Sequence, residues 1–235
     1  MSQLFGGATR LIKGVDKFRR KVFGAQEQLF RELGKGQSPL ALFITCSDSR
    51  INPNLLTQTD PGELFILRNA GNLLPPAGAG SFGEEATIEY AIVQLKIRDV
   101  IVCGHSQCGA IHGLLAPAAL GQLPRVNEWL QYAREILPSL PQNGSVPPQE
   151  LLDIAIERNV LLQIEHLKTY GSVATALAAG KVRIHAWVYH FETGAVVAHD
   201  PNGERFVALA QAPHQKFIKQ AIAPSKPPDE WNHTI

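Results

Sequence analysis

Five residues of this 235-residue chain stand out for the chemistry their side chains could share. Cys46, Asp48 and Arg50 close one apolar run, and His105 and Cys108 close another. Taken alone, Cys46 fits a buried structural thiol, and His105-x-x-Cys108 is a weak signal. Taken together, two sulfurs and one ring nitrogen are the ligand inventory of a zinc site that keeps a position for water. Asp48 and Arg50 admit two readings. They form a surface ion pair worth under about 1 kcal/mol, or the arginine holds the carboxylate facing the metal yet off it. Their place beside Cys46 favours the second. Cys103 falls inside an apolar run and reads as core.

Those clusters need elements to bring them together. Leu40 to Thr45, Leu64 to Leu67 and Val100 to Cys103 are short continuous apolar runs, the pattern of strands covered on both faces of a parallel sheet. Glu84 to Leu95, with Ala86, Tyr90 and Val93 along one face, and Gly109 to Ala116, stopped by Pro117, read as helices. The alternation is the grammar of a parallel sheet with right-handed crossovers. Functional groups of such sheets gather beyond the carboxyl ends of the strands, where both clusters fall.

The flanking segments are read more coarsely. Thr9 to Leu33 is helical, broken near Gly24, with Leu11, Val15, Phe18 and Val22 as an apolar stripe and Lys13, Lys17, Arg19, Arg20 and Lys21 as a solvated basic face. Gln122 to Leu137 reads as one helix, and Gln149 to Lys168 as the longest, burying Leu152, Ile156, Val160 and Leu167. Arg183 to His199 reads as an antiparallel hairpin turning at Glu192-Thr193-Gly194. No linker stands out, so residues 1–235 read as a single domain with a tail over 210–235. The fold class is α/β: a mostly parallel sheet flanked by helices, with an antiparallel C-terminal edge hairpin and extended N-terminal helices.

Composition bounds the function. Hydrophobic residues make up 45% and charged residues 18%, and the formal net charge is +1. That balance suggests neither disorder nor a nucleic-acid partner. Three cysteines, two of them beside other ligand types, argue against a disulfide framework and for a reducing compartment. No stretch approaches the roughly 20 apolar residues of a membrane span. A cytoplasmic location is expected, with nothing in the sequence for or against a carboxysome-like compartment.

Cys46-Ser47-Asp48-Ser49-Arg50, Arg68-Asn69-Ala70-Gly71-Asn72 and Gly104-His105-Ser106-Gln107-Cys108-Gly109 resemble the signature segments of the β-class carbonic anhydrases, over residues 11 to 209. The resemblance implies a zinc enzyme that interconverts carbon dioxide and bicarbonate. Its minimum unit is a homodimer embraced by N-terminal helices, assembled in some members into tetramers or octamers. By position, Cys46, His105 and Cys108 take the zinc-ligand roles and Asp48 and Arg50 the catalytic dyad. Gln37 resembles the glutamine that hydrogen-bonds bicarbonate, Phe65 and Tyr90 the aromatics lining the substrate pocket, and Gly109 a backbone N–H donor beside the metal. In closed members the aspartate itself ligates zinc, a role Asp48 would take in that state only. Those members carry tryptophan where this chain has Phe43, so with Gln37 present the sequence is more similar to the open, plant-type subgroup. Glu63 departs from the aspartate common in the family.

Two thiolates cancel the formal charge of zinc, so water bound there is expected to ionise above the value of about 7 found with three histidines. Hydration should then climb through the alkaline range. His112 lies near the cluster in sequence and reads as either a proton relay or a structural histidine. Two other functions are compatible with the resemblance. One is a zinc-containing scaffold or sensor without turnover, which would be expected to have lost a ligand or the dyad. The other is a hydrolase of carbon disulfide or carbonyl sulfide on the same fold.

Overall fold

Ala41–Cys46 is buried at every position and forms β1. Leu42, Ile44 and Cys46 enter one apolar cluster and Ala41 and Phe43 the other, as the two-residue period of a strand covered on both sides requires. β2 (Leu64–Asn69) and β3 (Asp99–His105) flank it in parallel, with Cys46 opposite Asn69 and Thr45 opposite Cys103. β4 (Arg183–Tyr189) runs parallel to β3, so His105 lies opposite Tyr189. β5 (Val196–Asp200) and β6 (Arg205–Ala208) then turn antiparallel. The order is β2-β1-β3-β4-β5-β6. β6 extends the expected hairpin. Its signal was the Asn202-Gly203 pair between two apolar runs.

The structure is a computed structural model describing residues 6–80, 82–142 and 144–209. The described residues divide between Ser38 and Pro39 into two units, and the expected tail over 210–235 lies outside them. In the first unit, α1 (Gly6–Lys17) runs on through a π-helical stretch, Phe18–Phe23, and α2 spans Glu27–Leu33. The break falls at Gln26 (φ −122°, ψ 25°), while Gly24 keeps helical angles. Phe30 packs on Phe18 and Phe23. Leu11 and Val15 of the expected stripe are 71% and 68% exposed.

In the second unit, helices α3 (Pro53–Thr57), α4 (Phe82–Glu89), α5 (Gly109–Leu115), α6 (Pro124–Trp129), α7 (Pro148–Lys168) and α8 (Gly171–Ala178) connect the strands. Asn52 caps α3 by accepting from Leu55 N–H at 3.2 Å, ahead of a proline in the first turn. α4 continues through a π-helical turn to Gln94 and buries Ile88, Ala91 and Ile92. Ala86, Tyr90 and Val93 lie on its exposed side. The expected helix over 122–137 is instead α6 followed by a 3₁₀ stretch, Leu130–Ser139. Its buried residues Leu130, Ala133 and Ile136 recur every three positions, the period of a 3₁₀ turn, and Pro138 withholds an N–H from its end.

α7 buries the four expected apolar residues together with Asn159, Gln163 and His166. It packs close to β3 because position 104 is glycine. A Cβ there would stand 2.8 Å from a methyl of Val160, so any side chain would push α7 off the strand that ends in His105.

Candidate metal centre

The end of β1 supplies Cys46, and the end of β3 supplies His105. Cys108 follows one tight turn later, at the foot of α5. The register of the parallel strands therefore closes a gap of nearly sixty residues. The two sulfurs and a ring nitrogen lie within 4.8 Å of one another, and all three residues are buried.

His105 Nδ1 lies 2.8 Å from the Ser106 carbonyl. A carbonyl only accepts, so Nδ1 carries the proton and Nε2 presents a lone pair. That Nε2 is buried and, among the described residues, has no hydrogen-bond partner. A buried nitrogen lone pair left unmatched is costly; a cation between it and the two sulfurs removes the cost. Tetrahedral zinc, with bonds of about 2.0–2.3 Å, spaces its ligands about 3.5–3.8 Å apart, a spread the cluster reaches by small side-chain rotations. The residues present fit the ion.

The electrostatics agree. A hydrogen bond from the Cys108 thiol does most to pull the Cys46 thiol well below its ordinary value, against the opposing effect of burial. The backbone N–H groups of Gly71 and Asp48 add to the pull. The same hydrogen bond and burial push Cys108 up. Without a cation the two sulfurs share one negative charge; a divalent ion lets both ionise.

Asp48 and Arg50 form a two-pronged pair. Arg50 Nε donates to Asp48 Oδ1 at 2.9 Å and Nη2 to Oδ2 at 2.7 Å, and Arg50 N–H donates to Oδ1 at 2.9 Å. The Arg50 hydrogen bond holds the Asp48 carboxyl well below the usual carboxylate range. Asp48 Oδ2 stands 4.0 Å from His105 Nε2, so the carboxylate faces the cluster while the fork holds it. Arg50 is fixed in turn by the Gln107 carbonyl at 3.1 Å and by the Phe191 ring, whose centroid is 4.6 Å from the guanidinium carbon.

Other residues build the surroundings. Arg68 donates to the Cys46, Asp48 and Ile51 carbonyls at 3.0, 2.7 and 3.0 Å, pinning the turn after β1. Gly71 N–H donates to Cys46 Sγ at 3.3 Å. Ser106 Oγ donates to Glu192 at 2.8 Å and accepts from Phe191 N–H at 2.9 Å, tying the β3 end to the β4–β5 connection. Arg68 and Gly71 lie in a segment the sequence had flagged. Phe191 had no local signal, since its partner Arg50 is 141 positions away.

The remaining expected site residues are placed differently. Gly109 opens α5 directly after Cys108. Gln37 follows α2 in the first unit with an exposed side chain. The Phe65 and Tyr90 rings meet tilted by 31°, with centroids 6.0 Å apart. Phe65 lies opposite Leu42, four positions before the residue opposite Cys46, which is about 13 Å along the strand. Within one chain Phe65 does not reach the cluster. His112 is exposed on α5. Glu63 accepts from Asp60 N–H at 2.7 Å and closes the turn before β2.

This geometry defines a class: an α/β protein with a cysteine–histidine–cysteine metal site beyond the carboxyl ends of parallel strands. A family model described as carbonic anhydrase matches residues 41–196. A carbonic anhydrase of Synechococcus elongatus is 49% identical over 190 residues, spanning 80% of this chain and 70% of that protein. One from Pseudomonas aeruginosa is 42% identical over 208 residues, spanning 88% and 94%. The solved structure of the β-carbonic anhydrase CcaA superposes with a TM-score of 0.82 at 43% identity, covering 86% of this chain and 92% of that one. The chain belongs to the β-class carbonic anhydrases, lyases of the carbonate dehydratase type.

Proposed function

We propose that this chain catalyses the reversible hydration of carbon dioxide to bicarbonate and a proton, with one zinc ion per subunit on Cys46, His105 and Cys108. The observation that carries this reading is the buried, unmatched His105 Nε2 beside two sulfurs. When bound, the zinc supplies a Lewis acid that makes water nucleophilic at neutral to alkaline pH.

The chain's own groups do the rest. Arg50 takes both lone pairs of Asp48 Oδ1 but only one of Oδ2, so Oδ2 can accept a hydrogen from the attacking water and aim it. With its acidity so strengthened, Asp48 is a poor proton acceptor. It orients, and the proton leaves to buffer. The Arg50 fork opposes any swing of Asp48 onto the ion, which supports an open, plant-type site. The Gly109 N–H would help hold bicarbonate.

Phe65 and Tyr90 would wall the pocket of a second copy. Ile66, Tyr90 and Val93 around them are 36%, 42% and 59% exposed. A homodimer is then the minimum working unit, with the exposed apolar stripe of α1 as its embracing arm. Among the described residues no helix is long and apolar enough to cross a membrane, in keeping with a cytoplasmic enzyme.

Stopped-flow hydration of carbon dioxide by protein of measured zinc content tests the reading, with turnover expected at about pH 8.5. Full metal occupancy without turnover would favour a scaffold instead. Mixing Cys46→Ser with Phe65→Ala chains tests the shared site. Mixed dimers should regain activity beyond either parent, because one of their two sites keeps both its metal and its aromatic wall.

A further inference from the structure

Each proposed metal ligand is fixed by a backbone group, but not in the same way. The Ser106 carbonyl next in sequence fixes His105. Cys108 receives the N–H groups of Ala110 and Ile111 from the helix it begins. Cys46 takes the Asp48 N–H from its own turn and, alone of the three, another from a separate loop, through Gly71 N–H at 3.3 Å. Gly71 sits at φ +81°, and a Cβ there would stand 3.1 Å from that of Ala110, so the position needs glycine. A glycine in such a loop is loosely held by itself, and two side chains from elsewhere hold it.

Trp129 Nε1–H donates to the Ala70 carbonyl at 2.8 Å. That carbonyl belongs to the same peptide unit as the Gly71 N–H. On the other side, Asn159 Nδ2 donates to the Gly71 carbonyl at 3.1 Å from the buried face of α7. Gln163 completes the ladder: its Nε2 donates to Asn159 Oδ1 at 3.0 Å, and its Oε1 accepts from Leu74 N–H at 2.7 Å. Donation to one end of a peptide unit strengthens the N–H at its other end.

We propose that Trp129 and Asn159 are positioning residues for the metal centre: by gripping the carbonyls on either side of Gly71 they aim its N–H at the Cys46 sulfur and set how much electron density that sulfur gives the ion. The proposal rests on the zinc reading above. An N–H···S bond draws charge from the thiolate, leaving the metal a stronger Lewis acid. Loosening it returns charge to the sulfur and weakens the metal's pull on water.

Cobalt(II) loaded in place of zinc reports this directly through its sulfur-to-metal charge-transfer band. The comparison uses the full chain as wild type, Trp129→Phe, Asn159→Leu and Tyr170→Phe. Trp129→Phe removes only the N–H donor and keeps a ring against Tyr132, its edge-to-face neighbour at 5.5 Å, so it tests the idea even if Asn159→Leu fails to accumulate. Tyr170→Phe is the control. Its hydroxyl donates to the Pro75 carbonyl at 2.7 Å, so its loss weakens the same loop without touching Gly71.

The expected result is a band shifted to longer wavelength in Trp129→Phe and Asn159→Leu but not in Tyr170→Phe. Zinc-loaded Trp129→Phe should also hydrate carbon dioxide about tenfold more slowly near neutral pH, the low end for loss of a contact behind a metal ligand. A normal wild-type band that Trp129→Phe leaves in place, or one that Tyr170→Phe moves equally, overturns the proposal. A wild type with no such band overturns the metal assignment and this proposal with it.

Discussion

Two aspartate–arginine forks stand at opposite ends of the same sheet, each beside a histidine. At the carboxyl ends, Arg50 grips Asp48 through bonds of 2.9 and 2.7 Å. At the amino ends, Arg183 grips Asp99 at 2.9 and 2.7 Å. The forks match; the histidines do not. His185 Nε2 lies 2.8 Å from Asp99 Oδ1, a satisfied pair. His105 Nε2 stops 4.0 Å from Asp48 Oδ2 and, among the described residues, pairs with nothing. A fork of this kind therefore marks no site by itself. What distinguishes the carboxyl end is a buried ring nitrogen withheld from its carboxylate and turned towards two thiols.

Replacing a ligand should break that distinction most severely. Cys46→Ser or Cys108→Ser is expected to lose the metal and all measurable hydration, checked by elemental analysis alongside stopped-flow assay. Asp48→Asn should keep zinc but slow hydration by about 10²-fold, the scale on which misplacing a reacting group is felt. A loss below threefold would remove Asp48 from the reaction. Asp99→Asn should do the reverse. Turnover should stay at the wild-type level while stability falls by about 1 kcal/mol, or several degrees in melting temperature. A drop in turnover would mean that the two ends of the sheet are coupled.

The smallest effect expected is on acid stability. Burial pushes Asp99 up, but hydrogen bonds from His185 and Arg183 outweigh it and hold the carboxyl at about 2. A depressed carboxylate contributes stability above its unfolded value of about 3.9, and that contribution fades as pH falls towards 2. The stability gap between wild type and Asp99→Asn should therefore narrow from pH 4 to pH 2. A gap constant across that range would contradict the assignment.

The carboxyl end was legible in sequence because its parts are local. An apolar run stops at Cys46, another at His105, and parallel strands align such stops. The long helix α7 was legible for the same reason, through its apolar period. Its polar residues were not. Asn159, Gln163 and His166 share the buried face, but nothing in the spacing reveals that their partners are loop carbonyls and N–H groups some 90 positions away. Tyr90 shows a related limit. A helical period says which residues share a face; whether that face meets the core or solvent depends on packing, and here Ile88, Ala91 and Ile92 took the core. Phe65 was placed in the pocket by resemblance, and only the strand register showed that its own metal cluster lies out of reach.

X-ray absorption at the zinc edge reads the ligand set itself. The expected first shell is two sulfurs at about 2.3 Å and one nitrogen at about 2.0–2.1 Å, completed by one light atom, with the sulfur count falling to one in any Cys46→Ser protein that retains zinc. A shell without sulfur, or a protein that takes up no zinc at all, would contradict it.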